Sequence, residues 1–563
     1  MSNKKIIIIG GSAAGPKAAA RARRMDEFAE ITVFQKSNEL SMASCGYPYY
    51  VGGFFDDRNK LLCTPAGVVR DPVFYWNAKG IMAKNNTEVL KIVRENKTIE
   101  YKNLLTGETG TQQYDKLIIA TGASANMPPV RGIDLKGITT LQSMQDADFL
   151  RKIRDERTIR KAIVIGGGLI GIETLEALHL AGIELTLVEL LPQLLTFLDW
   201  DMAKLVENYL KTKTNVITKN GVAEFIGEYG NLVGVKLQNG IEIPCELAVV
   251  AIGVRPNVRL AKEAGIETGA AGGIKVNEYM QTNDPDIYAV GDCCEIKNLI
   301  TGKNVLAPYG DLANLEGRVA GENAICGNVA TFPGTIQTGI CKIFDYAVGI
   351  TGLSETKAKE NGFDYEKVIN ASPDKPGFMN GKLLITKILA DKKTGKILGA
   401  QCLGPGDVSK QIAIWAVAVK AGLTIDDMVN ADLPYAPPFS LAIDHSIAGA
   451  HILQNKMRGF FNGISAMELK EKLERGDKMF ILDTRGPDEY EQTRLGIGEH
   501  LIPLGALRKR LNELPEDKNA EIIAYCKISL RGYEAAVILK AQGYKNVKLL
   551  EGGISAWLYN KEK

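Results

Sequence analysis

Ala162-Ile163-Val164-Ile165-Gly166-Gly167-Gly168-Leu169-Ile170-Gly171-Ile172-Glu173-Thr174-Leu175 is the stretch whose reading decides the fold. Four apolar residues run into a G-x-G-x-x-G turn and then into the helical pattern IGIETLEALHLAG. That order predicts a buried strand feeding a helix whose first amides meet the pyrophosphate of a dinucleotide. The next strand, LTLVE, ends at Glu189. A carboxylate there accepts from the adenosine ribose hydroxyls and repels a 2′-phosphate, so NADH is expected over NADPH. Gly166, Gly168, Leu169, Ile170, Gly171 and Glu189 are the candidate contacts.

A second unit of the same kind starts near residue 5. The run KKIIIIG ends in Gly10-Gly11-Ser12-Ala13-Ala14-Gly15 and continues into GPKAAARARRMDE. Ser12 stands where the pattern usually has its middle glycine, and Gln35, followed by Lys36, stands where the other unit has Glu189. Alternation of buried strands with helices predicts βαβ units and parallel sheets in an α/β protein. From about residue 331 to 450 the pattern changes to LLITKILAD and KILGAQCLG followed by VSKQIAIWAVAVKAG, an α+β arrangement suited to a subunit interface. The segment HILQNKMRGFFNG, 451–463, breaks the pattern and reads as a linker, and about 100 further residues carry the strands MFILDT and EIIAYC.

The chain has 563 residues, more than one core usually organises. Charged side chains balance at 68 basic against 66 acidic, which gives no reason to expect nucleic acid or an anionic membrane as partner. No apolar run is long enough for a membrane span, and the first ten residues read as a strand rather than a signal peptide. Nine scattered cysteines show no spacing for a disulfide framework or a zinc site, so no metal is expected and a reducing cytoplasm fits best.

Two nucleotide units joined by IIATGAS (118–124) and AIGVRPN (251–257) resemble the two-dinucleotide-binding disulfide oxidoreductases across residues 1–450. The resemblance implies FAD, NADH and a homodimer. It implies an FAD domain in two parts, 1–145 and 273–330, an NADH domain at 146–272 and a dimerisation domain at 331–450. It places Gly10, Ser12, Ala13, Ala14, Gly15, Gln35, Lys36, Thr121, Gly122, Gly253, Gly291, Asp292 and Ala313 with the cofactor contacts already named. Asp292, after a strand and Gly291, is where such flavoproteins hold the ribityl chain.

Cys45, ten residues after Gln35, stands in Ser41-Met42-Ala43-Ser44-Cys45-Gly46-Tyr47-Pro48-Tyr49-Tyr50. In the family this segment lies beside the flavin, and a thiol at a helix N-terminus or near a cation has its thiolate favoured. The two-cysteine members carry Cys-x4-Cys, whereas here Tyr50 and Leu40 flank Cys45 at that distance. The partner sulfur must come from a small thiol or persulfide, from Cys526, or be replaced by the oxygen of a sulfenic acid. Lone-cysteine NADH peroxidases and oxidases carry a His in the first glycine turn, and here that place is Ala13. The Ser-x3-Cys segment is instead similar to coenzyme A disulfide and persulfide reductases. That resemblance implies a coenzyme A pocket at Arg21, Arg24, Ser41, Ser44 and Lys79, and an interface tyrosine, Tyr435, brought to the reacting sulfurs. A second tyrosine of that subfamily is replaced by Phe378.

Residues 464–563 resemble a rhodanese domain through Asp483-Thr484-Arg485, Cys526-Lys527-Ile528-Ser529-Leu530-Arg531, Gly552-Gly553 and Trp557. Curled backbone amides with Lys527 and Arg531 nearby form an anion nest for a thiolate or persulfide. The expected activity is therefore NADH-driven reduction of coenzyme A persulfide or polysulfide, with release of hydrogen sulfide and Cys526 delivering sulfur. Coenzyme A disulfide reduction, oxygen or peroxide reduction through a Cys45 sulfenic acid, and a sulfane-sulfur carrier or sensor are the alternatives.

Overall fold

The β-branched runs picked out above form the strands that bury them. The computed structural model describes residues 3–563, which fall into two units: the chain up to Pro192 with Thr214–Thr335, and Gln193–Lys213 with Ile336–Lys563.

The first unit holds two five-stranded parallel sheets. In one, Lys5–Ile9 lies between Glu30–Phe34 and Lys116–Ile119, with Ile81–Lys84 and Ile287–Ala289 at the edges. In the other, Lys161–Ile165 lies between Glu184–Val188 and Leu247–Val250, with Asn215–Ile217 and Ile138–Thr139 outside. Each sheet puts its glycine turn where the strand order reverses, the crevice in which such sheets hold nucleotides. The helix Ala14–Met25 is alanine-rich on its buried face and crosses Gly310–Cys326 closely. A Cβ on Gly317 or Gly321 would come within 2.3 Å of the carbonyl oxygen of Ala14 or Ala18. Those glycines let the second helix run against the back of the first.

The second unit joins a five-stranded antiparallel sheet to a five-stranded parallel one. The antiparallel order is Gly339–Ile343, Tyr346–Gly352, Ile397–Gly404, Leu383–Asp391, Tyr365–Pro373. The parallel order is Asn462–Ile464, Asn546–Leu550, Glu521–Tyr525, Phe480–Asp483, His500–Leu501.

Two expectations change. Residues 451–463 are not a linker: 451–457 continue the helix His445–Met457, and 462–464 form a strand of the parallel sheet. Ile447, Ala450 and Leu453 give that helix a buried face, and Phe461 is buried too. Second, Gln193–Lys213, read as part of the NADH domain, packs with the second unit. Asp199 and Asp201 reach Lys387 at 3.2 and 2.8 Å, and Asn208 donates to the carbonyl of Leu558. Lys387 is wholly buried and also meets Glu355 at 3.0 Å. Burial alone would lower its pKa, but Asp201, Asp199 and Glu355 together outweigh burial and raise it.

Candidate functional sites

The two glycine turns have the same construction. Gly10 and Gly166 take positive φ, +112° and +107°, and a Cβ on either would strike the carbonyl of Ala120 or Ala251. Gly15 and Gly171 pack against the carbonyls of Gly10 and Gly166, where a Cβ would lie within 2.0 Å. Gly168 faces open space, so nothing in the protein itself excludes a side chain there; this explains how Ser12 can occupy the matching place. The helices Ala14–Met25 and Leu169–His179 start at Ala13 and Gly168 with no side-chain cap and no acidic residue in the first turn. Their amides are left for an outside anion. Glu189 accepts from Gly167 N–H at 2.7 Å and Leu191 N–H at 2.8 Å, and Gln35 likewise accepts from Gly11 N–H at 2.7 Å. Lys36 turns outward to Glu88. Thr121 and Gly122 are tied to Asn257 by hydrogen bonds, and Gly253 beside them takes positive φ. Both cradles thus fit a dinucleotide pyrophosphate.

Cys45 lies in the turn Ser44–Gly46, just before the helix Tyr47–Val51, and is exposed. A Cβ built on Gly310, the first residue of Gly310–Cys326, would stand 3.6 Å from its sulfur. The expectation of a favoured thiolate is corrected here. Although the residue as a whole is exposed, the protein packed around its sulfur desolvates the thiolate, and with the carboxylates of Glu173, Asp292 and Asp311 this raises its pKa; its backbone hydrogen bond does not offset them. Glu173, two residues past Gly171, receives the Tyr49 hydroxyl at 3.3 Å and is pushed up to about 7, chiefly by burial. Glu316 accepts from Gly291 N–H at 2.6 Å and from the Cys294 thiol at 3.5 Å. Burial raises it to about 7 as well, and burial also raises the pKa of neighbouring Asp292. Gly291 itself sits against Ala14 and Ala313. Sequence reasoning missed Glu173 and Glu316. The position of Glu173 just beyond a complete glycine motif could have flagged the first; Glu316 becomes visible only once two helices cross.

Of the coenzyme A candidates, the structure brings together Arg24 and Lys79. Arg23 donates to the carbonyls of Lys79 and Gly80, fastening the end of Pro72–Lys79 beside Arg24. Neither Arg24 nor Lys79 has an ion-pair partner among the described residues, and burial followed by the charge of Arg24 lowers the Lys79 pKa. Two cations held together without a carboxylate suit a phosphate. Arg21 is corrected: its guanidinium is committed to Glu322 at 2.5 Å. Ser41 takes positive φ, donates its N–H to Gly11 O and is bonded by Tyr75, while Ser44 is exposed beside Cys45. Tyr435 is 54% exposed, with Phe439 and Ile443 exposed nearby.

Cys526 ends the strand Glu521–Tyr525 and is wholly buried. Gly553 packs beneath the loop, where a Cβ would meet the carbonyls of Cys526 and Lys527; those carbonyls accept from Ile554 and Ser555 N–H at 2.9 and 3.1 Å. Ser529 is forced to φ +89° just before the helix Leu530–Ala541. Lys527 is exposed, whereas Arg531 reaches Cys526 and is clasped at 2.6 and 2.8 Å by both oxygens of Glu489. That bond to Arg531 holds Glu489 down at about 2. Arg485, buried against Asp483, donates to the carbonyls of Glu489 and Thr493 and so fixes the segment carrying Glu489.

The sequence pattern of the pyridine nucleotide-disulphide oxidoreductases matches residues 4–308. The chain belongs to the pyridine nucleotide-disulphide oxidoreductase family. The dimerisation domain of that family matches 338–447, and a rhodanese-like domain matches 465–560. An NAD(P)H coenzyme A polysulfide/persulfide reductase of Pyrococcus horikoshii is 33% identical over 459 residues, covering 80% of this chain and 98% of that one. Among solved structures, an NAD-dependent persulfide reductase from A. fulgidus superposes with TM-score 0.93 at 41% identity, covering 98% of this chain and 100% of that one. Reduced CoADR-RHD of Bacillus anthracis gives 0.92 at 36%, covering 99% and 98%. Among the described residues of this oxidoreductase, no helix is long and apolar enough to cross a membrane.

Proposed function

We propose that the chain uses NADH to reduce the sulfane sulfur of coenzyme A persulfide or polysulfide, releasing hydrogen sulfide, with the rhodanese-like domain delivering sulfur. The observation that carries this reading is the likeness to a persulfide reductase over 98% of the chain, rhodanese-like part included. Cys45 is a free, exposed thiol, consistent with a partner sulfur that arrives as a guest.

The first glycine cradle suits FAD, which when bound supplies two-electron transfer between the nicotinamide and a sulfur–sulfur bond. Gly10, Gly15 and the open first turn of Ala14–Met25 would hold its pyrophosphate, and Asp292 would bond its ribityl hydroxyls. Gly166, Gly171 and Glu189 hold NADH. Arg24 and Lys79 pair with the phosphates of coenzyme A, keeping its pantetheine arm near Ser44. Cys45 attacks the inner sulfur of coenzyme A persulfide, forming a Cys45–coenzyme A disulfide and expelling hydrosulfide. Two electrons from NADH cleave that disulfide and return both thiolates. The sum is coenzyme A persulfide, NADH and one proton giving coenzyme A, hydrogen sulfide and NAD+. In the dimer, Tyr435 supplies a hydroxyl to the sulfurs of the opposite subunit.

The test is stoichiometric. With coenzyme A persulfide, each NADH consumed should release one hydrosulfide and one coenzyme A. Faster turnover of coenzyme A disulfide, or rapid NADH oxidation with air alone, would replace this reading by disulfide or oxygen reduction.

A further inference from the structure

Leu549-Leu550-Glu551-Gly552-Gly553-Ile554 places a lone acid at the end of a buried strand, directly before the two glycines beneath the Cys526 loop. Glu551 is 3% exposed, and a carboxylate so buried must be fully bonded to be tolerated. Its partners belong to the antiparallel half of the second unit. Oε1 receives Lys456 Nζ at 2.6 Å, and Oε2 receives the backbone N–H of Ile369 at 3.2 Å. Lys456 also donates to the carbonyl of Lys367 at 2.8 Å and meets Glu366 at 3.1 Å. Tyr365–Pro373 is the edge strand of its sheet, and the free edge groups of residues 367 and 369 are the ones occupied.

The glycines show how tightly this contact is built. A Cβ on Gly463, where the chain enters the parallel sheet, would lie 1.9 Å from Oε1 of Glu551. Gly552 takes φ +71°, and a Cβ there would stand 3.0 Å from Cγ2 of Ile369. From Glu551 the chain continues through Gly553, which supports the carbonyls of Cys526 and Lys527, to the Ile554 and Ser555 amides that bond them. The Ile554 amide that bonds the sulfur loop is thus three residues along the chain from Glu551, which is bonded to a different sheet.

We propose that Glu551 is a positioning residue for sulfur transfer at Cys526, holding the floor of the sulfur loop against the edge strand Tyr365–Pro373 and Lys456. Sulfur transfer then depends on residues outside the rhodanese-like domain. This rests on the reading that Cys526 carries sulfane sulfur, and two readouts keep the ideas apart. In the full-length flavoprotein, thiocyanate formation from thiosulfate and cyanide reports on Cys526: its thiolate takes the outer sulfur and expels sulfite, and cyanide removes that sulfur. Hydrogen exchange at the Ile554 and Ser555 amides reports on the loop floor without any sulfur chemistry.

Glu551→Ala should lower kcat for thiocyanate by about tenfold to a hundredfold, the scale of a small misplacement of reacting groups, with KM for thiosulfate unchanged. It should also speed exchange at both amides. Glu551→Gln, which still accepts from Ile369, should recover part of each loss, a graded response that simple destabilisation would not give. If Glu551→Ala does not fold, Lys456→Met carries the same expectation from the other side. Unchanged exchange and unchanged kcat in these variants would overturn the positioning role. A parent protein that forms no thiocyanate would instead sink the sulfur-carrying reading, and the exchange data would still decide the positioning contact.

Discussion

Glu316 is a buried acid with no ion-pair partner among the described residues, and that has a consequence with a definite sign. Its pKa is raised from the ordinary carboxylate range to about 7, so the folded chain holds a proton that the unfolded chain releases. The folded state is favoured most below the unfolded value; this advantage is lost as pH rises from there to about 7, and the cost is constant above. Glu316→Gln, which still accepts from Gly291, should therefore stabilise the flavin-free protein at pH 8 by on the order of 2–3 kcal/mol and much less at pH 5. Denaturant melts at the two pH values check this; equal gains at both would contradict the burial of a titrating acid. Cys45 and Cys526 differ in another way. Cys45 is exposed and its thiolate disfavoured, whereas Cys526 is wholly buried. Peptide mapping after brief iodoacetamide treatment of flavin-free protein should find Cys45 labelled first, at a rate still climbing above the ordinary thiol range.

At the scale of elements, each glycine turn works because strand and helix nearly touch. A Cβ on Gly171 would lie 2.0 Å from the carbonyl of Gly166, and one on Gly15 would lie 1.9 Å from that of Gly10. Gly171→Ala should abolish NADH binding, measured by quenching or calorimetry, while the flavin is kept; Gly15→Ala should do the reverse. Lys387 ties three carboxylates to its strand: Asp199 just ahead of the helix Trp200–Leu210, Asp201 in its first turn, and Glu355 at the start of Glu355–Glu360. Replacing it with methionine leaves those acids buried without their cation, at a cost of about 3–5 kcal/mol in chemical denaturation. The motif turns were legible because their glycine spacing is dictated by local sterics. The Lys387 cluster was not, because its members lie far apart in the chain and nothing local marks a lysine as buried.

For the whole molecule, the proposed division of labour predicts opposite outcomes for two serine variants. Cys45→Ser should abolish NADH oxidation by coenzyme A persulfide, while Cys526→Ser should leave it and lose only sulfur supplied through the C-terminal domain. The opposite pattern, read from NADH absorbance and sulfide release, would make the chain a sulfur carrier. The sequence by itself determined the α/β class, both nucleotide turns, the lone thiol and the loop around Cys526, because each is a short pattern whose spacing carries its own physics. Only the tertiary structure decided that residues 451–457 extend a helix, that Gln193–Lys213 packs with the second unit, that Arg21 is spent on Glu322, and that Glu551 accepts from the Ile369 N–H of an edge strand. Those outcomes depend on which distant side chain arrives to bury an apolar face or neutralise a charge, and one-dimensional spacing does not encode that meeting.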